Sequence, residues 1–252
     1  MPRISVITAT RNVADTILDC AHDLLQKLGP EDEWVVQDGA SEDDTVKLIH
    51  KLRDPRIRLE SKADGSIYEA FNRATARARG DFYFFIGTDD KLFMHLNDIR
   101  DRLQHSDTIY YGDVRVMSSG KRYAGRFTCS MLARKNICHQ AIFYPKAVFY
   151  KHCYNTRYTL LADWVLNMAC WHDPAFRFEY MNCCISRYND LDGQSARNID
   201  VMFQQDYTRL LRTYFPFRHC WKPWIIHTFA GCYRTVFRRP VPKIRKRSGL
   251  PS

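Results

Sequence analysis

The sequence lacks several patterns that would identify a class of protein at once. It has nine cysteines but no CxxC pair, and two of the cysteines, Cys183 and Cys184, are neighbours in an apolar stretch. This pattern argues against a zinc ribbon and against a secreted disulfide framework. We therefore expect buried, reduced thiols, as in a cytosolic protein.

Long apolar runs and flexible linkers are also missing. No uninterrupted apolar run approaches the length that spans a bilayer, and the N-terminal residues MPRISVITAT resemble a short strand rather than a signal peptide. No Pro/Gly/Ser-rich linker divides the 252 residues. We therefore predict a cytoplasmic protein with one catalytic domain and appendages.

Acidic residues are absent from the C-terminal segment. Residues 207–252 contain eleven Lys or Arg and no Asp or Glu, although the whole chain has a net charge of +10. Residues 1–206 therefore hold 27 basic and 28 acidic side chains, a formal charge of −1. Aromatic residues at near-helical spacing precede the basic cluster, which suits either an interfacial helix on an anionic membrane or a core-packing helix with a solvated tail. We predict a basic helical extension at 207–252, outside the main domain at 1–206.

Strands alternate with helices in the first half of the chain. The predicted strands are 4–10, 33–37, 57–61 and 82–87, and the predicted helices are 14–28, 41–53 and 66–79. This alternation predicts an α/β fold with a mainly parallel sheet flanked by helices. Beyond residue 106 the pattern is mixed, with strands at 108–116, 121–127 and 176–188 and helices at 160–171 and 201–214. We expect residues 1–106 to bind one substrate and residues 107–206 the other.

The predicted strand ends carry the candidate chemistry. The second strand is followed by Asp38 and the fourth by Asp89 and Asp90. In an open parallel sheet, ligands bind outside the carboxyl ends of the strands. A Walker loop and a GxGxxG turn are both absent from the sequence, which excludes the ordinary NTPase and dinucleotide-binding interpretations. Adjacent carboxylates would repel a pyrophosphate, so the site calls for Mg²⁺ or Mn²⁺ between protein and phosphates.

Several segments resemble a known family. These are ISVITATRN, WVVQDGASEDDT and KADGSIYEAFNRATARARGDFYFFIGTDD, and more loosely CHQAIFYPK and LLADW. They resemble the GT-A-fold glycosyltransferases of family 2, especially those of bacterial capsule and colanic-acid-type exopolysaccharide pathways. The resemblance covers roughly residues 4 to 165 and implies a GT-A fold.

The resemblance also implies roles for individual residues. Asp163 matches the catalytic base, although Ala162 replaces the first acid of the family's usual Glu-Asp pair. Asp90 and Asp89 match the metal motif, and Asp89 also falls in the donor site. The remaining nucleotide-sugar-binding residues would be Thr8, Thr10, Asp38, Asp64 and Asn72, and the acceptor-binding residues would be His139, Gln140 and Trp164.

Less specific interpretations exist for most of these residues. Asp38 with Gly39 is also typical of a strand-ending turn. The pair Asp89-Asp90 is also typical of a helix cap, and Asp163 is also compatible with a carboxylate exposed to solvent. His139 is equally compatible with a hydrogen-bonded structural histidine.

The expected activity is transfer of a sugar from a nucleoside-diphosphate sugar to a hydroxyl of a glycan or lipid-linked glycan acceptor. We expect it to be metal-dependent and inverting, and to serve bacterial surface polysaccharide synthesis. The QxxRW motif of processive members is absent, which favours single additions. Two alternatives are a nucleotidyltransferase that makes the activated sugar and a non-catalytic RNA-binding protein. No RNA-binding signature occurs, so a nucleic-acid partner is not expected.

Overall fold

The computed structural model describes residues 3–190 and 198–215, in which a nine-stranded sheet is flanked by helices. The strands are β1 Ile4–Thr10, β2 Glu33–Asp38, β3 Ile57–Ser61, β4 Phe82–Phe85, β5 Lys91–Leu92, β6 Thr108–Val116, β7 Arg122–Tyr123, β8 Ile142–Pro145 and β9 Arg177–Tyr188. The helices are α1 Ala14–Leu25, α2 Thr45–Lys51, α3 Ile67–Arg77, α4 Leu96–Arg100, α5 Cys129–Leu132, α6 Ala147–Lys151, α7 Ala162–His172 and α8 Val201–Tyr214, with a 3₁₀ turn at His139–Ala141.

The sheet has the strand order β3-β2-β1-β4-β8-β6-β9-β5, and β7 pairs with β6. β3, β2, β1 and β4 run parallel, and β6 is parallel to β9. β8 lies between β4 and β6 and is antiparallel to both. The carboxyl ends of β1, β2, β4, β6 and β9 therefore face the same edge of the sheet.

Both faces of the sheet are covered, which is why β2 and β4 are buried along their whole lengths. α1, α2 and α4 pack on one face through Ile17, Ile49 and Leu96. α3, α7 and α8 pack on the other face, the α7 face, in a cluster that includes Phe71 and Phe203. The predicted α/β class is confirmed.

The structure differs from several predicted boundaries. The helix predicted from residue 41 begins at Thr45, because Ser41 donates its hydroxyl to Asp38 instead of capping the helix. The strand predicted at 121–127 is limited to Arg122–Tyr123 in the structure. The Gly125 N–H donates to the Asp113 side chain rather than to a backbone carbonyl of the neighbouring strand. β5, β8 and α4 have no counterpart in the prediction.

Two other sequence-based expectations concern cysteines and the C-terminal segment. The described cysteines are free except Cys129, which is disulfide-bonded, so the expectation of reduced thiols throughout is wrong there. The boundary predicted at 206/207 falls within α8, and the domain division stays a prediction. Residues 216–252, with the basic cluster, lie outside the described residues. Within the described residues, every helix is too short or too polar to cross a membrane.

Candidate active site

The ends of β2 and of β3 meet at the edge of the sheet. Gly39 follows Asp38, and a Cβ added at Gly39 would lie 2.9 Å from a carboxylate oxygen of Asp64. Asp64 follows β3 and precedes the N-cap of α3, Ser66. The structure therefore brings Asp38 and Asp64 together, and a side chain at position 39 would displace Asp64.

Asp38 is fully buried and accepts four hydrogen bonds. Oδ1 accepts from the hydroxyls of Thr10 at 3.0 Å and Ser41 at 2.5 Å. Oδ2 accepts from the Ser41 backbone at 2.9 Å and the Ser61 hydroxyl at 2.6 Å. Burial alone would raise the pKa of Asp38, but these hydrogen bonds outweigh it and hold the pKa below its ordinary value. Asp38 thus fixes the three strand ends, and a nucleobase would hydrogen-bond to it only by displacing one of these donors.

Asp64 is the more available of the two carboxylates. It is partly exposed, and none of the described residues donates a hydrogen bond to it. Burial raises its pKa, a rise that the positive charges of Arg73 and Arg11 oppose. A ligand with a hydroxyl or amide donor would find free acceptor oxygens here.

Two residues predicted to bind the donor use their polar atoms inside the protein. Thr8 is 0% exposed, and its hydroxyl accepts from the Trp34 indole at 3.0 Å. The Asn72 amide both donates to and accepts from the Tyr154 backbone, at 2.9 Å in each direction. These polar atoms already have protein partners, although Asn72 is partly exposed, and a donor-binding role for either residue stays a prediction.

The pair Asp89-Asp90 follows β4, beside the end of β1. Asp90 is 4% exposed and accepts from the Gln140 side chain at 2.9 Å and the Asn189 backbone at 3.0 Å. Asp89 is exposed and accepts from the Asn189 side chain at 3.2 Å. Burial, and then the charge of Asp89, raise the pKa of Asp90 to about 6.

The donor set of this pair fits a hard divalent cation. Mg²⁺ and Mn²⁺ take oxygen ligands, and such ions are commonly held by one or two carboxylates together with substrate phosphates. Asp90 is held in place by its amide donors, and Asp89 faces solvent beside it. In residues 3–190 and 198–215 no group of three or more His, Cys, Asp or Glu side chains is arranged to hold an ion. Among the described residues, Asp89 and Asp90 are therefore the candidate protein ligands.

Asp163, at the start of α7, is a buried carboxylate. It is 8% exposed, and its two oxygens accept from the Tyr68 hydroxyl at 2.9 Å and the Asn136 side chain at 2.7 Å. Burial raises the pKa of Asp163 to about 6, even though the hydrogen bonds from Tyr68 and Asn136 lower it. A carboxylate of this kind is a stronger base than an exposed aspartate.

A chain of amides orients Asp163. The Asn136 side-chain oxygen accepts from Asn167 at 2.8 Å, and Asn167 accepts in turn from the Tyr144 hydroxyl at 2.7 Å. The Tyr68 hydroxyl also lies 2.8 Å from the Leu160 carbonyl. Sequence reasoning missed Tyr68 and Asn136, because Tyr68 reads as one more core position of a helix and an isolated asparagine gives no signal.

His139 and Trp164, both predicted to bind the acceptor, are engaged in packing. The His139 ring stacks on Phe85, 4.6 Å between centroids, and its Nε2 lies 2.8 Å from the Tyr154 hydroxyl. Burial lowers the pKa of His139 to about 3, so the ring is neutral at physiological pH. Trp164 stacks on Phe203 at 5.0 Å and donates its indole N–H to a backbone carbonyl. An acceptor role for either residue stays a prediction.

Residues 136–140 connect the two carboxylate sites. Gln140 donates its side-chain amide to Asp90, and its predicted role in acceptor binding stays a prediction. Cys138 donates its thiol to the Gln140 side-chain oxygen at 3.0 Å, and burial raises the pKa of Cys138, with smaller contributions from the charges of Asp90 and Asp163. Asn136 donates to Asp163 and Gln140 donates to Asp90, so the short segment 136–140 contacts both the buried base and the metal motif.

Comparison with known proteins identifies the family. The model of glycosyl transferase family 2 matches residues 5–185, which include every candidate residue described above. The chain belongs to glycosyl transferase family 2. This assignment makes the protein a glycosyltransferase and sets aside the nucleotidyltransferase and RNA-binding alternatives.

Three similar proteins illustrate the range of this family. A PGL/p-HBAD biosynthesis glycosyltransferase from Mycobacterium bovis is 32% identical over 212 residues, covering 80% of this chain and 82% of the relative. The structure of Staphylococcus aureus TarS with UDP-GlcNAc has a TM-score of 0.68 at 15% identity, covering 93% of this chain and 73% of TarS. The mannosyltransferase PcManGT of Pyrobaculum calidifontis, solved with GDP-Man and Mn²⁺, has a TM-score of 0.61 at 15% identity over 77% of this chain and 59% of that one. The two structures show that the fold is that of GT-A glycosyltransferases.

Proposed function

We propose that this glycosyltransferase moves a sugar from a nucleoside-diphosphate sugar to a hydroxyl of a glycan or lipid-linked glycan, with a divalent metal and with inversion. The observation that supports this most is that one short segment, residues 136–140, donates hydrogen bonds to both Asp163 and Asp90. One is an acidic pair suited to a cation, and the other is a buried base with a pKa of about 6. Transfer needs both functions.

The donor would lie across the ends of β1 to β4. Thr10 and Asp38 would shape the nucleoside end, because they close the ends of β1 and β2. Asp64 would accept a hydrogen bond from the nucleoside, since its oxygens have no other donor among the described residues. The diphosphate would then face Asp89 and Asp90.

Asp89 and Asp90 would hold Mg²⁺ or Mn²⁺ against the diphosphate. A bound divalent ion stabilises the negative charge that develops on the leaving phosphate. Gln140 and Asn189 keep the Asp90 carboxylate oriented, as partners of metal ligands generally do. The protein thereby supplies two preorganised carboxylates, and the donor phosphates would supply further ligands to the metal ion.

Asp163 would remove the proton from the acceptor hydroxyl. General-base assistance of this kind typically contributes about 10² to 10⁴ in rate. Tyr68 and Asn136 hold the carboxylate in a fixed orientation, so a proton is accepted without rearrangement. Attack from the side opposite the leaving phosphate inverts the anomeric configuration.

The physiological acceptor is proposed from the relatives. The mycobacterial relative is named for PGL/p-HBAD biosynthesis, and another relative is a putative teichuronic acid biosynthesis glycosyltransferase of Bacillus subtilis. Both names support a role in bacterial surface polysaccharide or glycolipid synthesis. The basic segment within 207–252 supports a location on the cytoplasmic face of the membrane.

The test is a panel of UDP-, GDP- and TDP-sugars, screened for Mn²⁺-dependent binding and hydrolysis. Asp90→Ala should abolish metal-dependent binding, and Asp163→Asn should retain it while losing transfer. Asp98→Asn, at an exposed aspartate on α4, is the matched control. Metal-independent binding that is equal in the parent and in Asp90→Ala would refute the proposed donor site, and a retained anomeric configuration in the product would refute the role of Asp163.

A further inference from the structure

Four cationic side chains lie in one cross-strand row of the sheet. Lys91 of β5 is directly opposite Arg187 of β9, Arg187 is opposite Arg115 of β6, and Arg115 is opposite Arg122 of β7. Directly paired residues project from the same face of a sheet, with Cβ atoms about 5 Å apart. We call Lys91, Arg187, Arg115 and Arg122 the cationic row.

Only one end of the cationic row is neutralised within the described residues. Arg122 forms an ion pair with the buried Asp113, at 2.6 Å. Arg187 and Arg115 have no ion pair with any described carboxylate, and the Arg187 Nε atom is buried without a hydrogen-bond partner. Lys91 also has no ion pair within the described residues, but its ammonium donates to the Asp19 carbonyl of α1 at 3.0 Å. Like charges directly opposite one another destabilise a sheet. The fold therefore maintains an unfavourable arrangement that a bound anion would relieve.

Protection of a sheet edge does not explain these charges. Lysine and inward-pointing charges are common on edge strands, where they prevent pairing between molecules. β5 is at the end of the strand order, so Lys91 fits that explanation. β9 and β6 are interior strands, however, and Arg187 and Arg115 have neighbours on both sides.

The cationic row begins at the metal motif with Lys91, whose ammonium turns towards α1, and continues to Arg115 on the α7 face. Lys91 directly follows Asp90, and Asn189, two residues after Arg187, donates hydrogen bonds to both Asp89 and Asp90. Arg115 shares its face of β6 with Tyr111, which belongs to the same core cluster as α7. Asp163 lies in the first turn of that helix, so Arg115 is on the same side of the sheet as the proposed base.

We propose that the cationic row binds a diphosphate group carried by the acceptor, an inference that rests on the proposed transferase function. Arg115 and Arg187 are two cations without an ion pair on directly opposed residues, and they suit an oxyanion with several charges because guanidinium groups bind phosphate oxygens in pairs. The Arg115 guanidinium lies over the Phe93 ring, 5.9 Å from its centroid, which holds it across β9. A diphosphate bound here would place an attached sugar towards Asp90 and Asp163.

The test measures binding of inorganic pyrophosphate by calorimetry in EDTA, which removes metal-dependent binding at Asp89-Asp90. The parent should bind, and binding should weaken as salt is added. The double variant Arg115→Gln/Arg187→Gln should bind at least about tenfold more weakly, because hydrogen bonds to charged groups are lost. Arg115→Lys/Arg187→Lys keeps both charges and should recover part of that loss. Arg177→Gln, on β9 but 80% exposed and remote from the row, is the matched control.

The outcomes separate this proposal from the donor site. Asp90→Ala should lose Mn²⁺-dependent nucleotide-sugar binding yet retain pyrophosphate binding in EDTA. Equal pyrophosphate affinity in the parent and the double Gln variant would overturn the proposal, and so would an equal loss in the Lys and Gln variants. A parallel loss of nucleotide-sugar binding in the double Gln variant would mean that the row serves the donor. Tighter binding of citrate than of pyrophosphate would overturn the assignment to phosphate.

Discussion

Asp163→Asn should stabilise the protein while it removes activity. The substitution eliminates a buried charge but leaves a hydrogen-bonded network in place. The asparagine oxygen can accept from Asn136, which donates to Asp163 at 2.7 Å. Its amide can donate to the Tyr68 hydroxyl, which in turn has the Leu160 carbonyl at 2.8 Å as an acceptor. Every polar atom therefore keeps a partner, and the charge is the main difference.

The magnitude follows from the pKa of Asp163. Burial raises it from 3.8 to about 6, and a shift of one pKa unit corresponds to 1.36 kcal/mol. Ionised Asp163 therefore costs up to about 3 kcal/mol of folding free energy. Because the folded-state pKa is the higher one, the penalty is absent below about pH 4, grows as the pH rises and is complete above about pH 6.

Urea unfolding of the parent and of Asp163→Asn between pH 4 and pH 8 measures this difference. The two proteins should be about equally stable at pH 4, and the variant should be up to about 3 kcal/mol more stable at pH 8. Asp98→Asn, which changes an exposed aspartate, should follow the parent at every pH. Sugar transfer by Asp163→Asn should fall about 10² to 10⁴-fold with donor binding retained.

A variant that is less stable than the parent at pH 8 would refute the reasoning, because the carboxylate would then be a net stabilising group. A gain in stability that does not depend on pH would also refute it, since the effect would come from packing rather than from charge. If a stabilised variant retained sugar transfer, the destabilising effect of the buried charge would be supported. The role of Asp163 as the catalytic base would be refuted.

Three further substitutions test individual contacts. Asn72→Ala should lower the free energy of unfolding by about 1–3 kcal/mol, because two groups of the Tyr154 backbone lose their partner, while calorimetry should find donor affinity unchanged. Gln140→Ala should raise the Mn²⁺ concentration needed for half-maximal activity about 10- to 100-fold, because Asp90 loses an orienting donor; an unchanged metal titration would contradict this. Trp164→Phe keeps an aromatic ring beside Phe203 but loses the indole hydrogen bond, so it should lower the free energy of unfolding, measured in urea, by about 1–3 kcal/mol. A rise in acceptor KM without that loss would support an acceptor-binding role for Trp164.

The sequence is sufficient to predict which strand ends share one edge of the sheet, because each step of that inference is local. An alternating pattern of strands and helices predicts a parallel sheet, and a parallel sheet brings the residues after its strands to one edge. Asp38, Asp64 and the pair Asp89-Asp90 all lie at such ends. The strand Ile142–Pro145 was missed, since a four-residue apolar run gives no periodicity.

Local sequence patterns do not predict contacts between residues that are far apart in the sequence. The hydrogen bond from Tyr68 to Asp163 joins residues 95 positions apart, and the one from Asn189 to Asp90 joins residues 99 apart. No local signal distinguishes Gln140 as a partner of Asp90 from Gln140 as an acceptor contact. Only the fold shows that the polar atoms of Thr8 and Asn72 already have protein partners.

Hydrogen bonding distinguishes the residues that stabilise the fold from the residues proposed to bind or react in this site. Asp38 has four donors and a lowered pKa, so its ionised form stabilises the fold without a ligand. Asp90 and Asp163 have raised pKa values, and Arg187 has a buried nitrogen without a partner. These three groups are costly in the free protein, and each cost would be relieved by a different binding partner: a cation, a proton from the acceptor, and an anion. Groups that are destabilised in the free protein are expected where a protein binds and reacts. There the substrate can supply the electrostatic or hydrogen-bonding partner that the folded chain lacks.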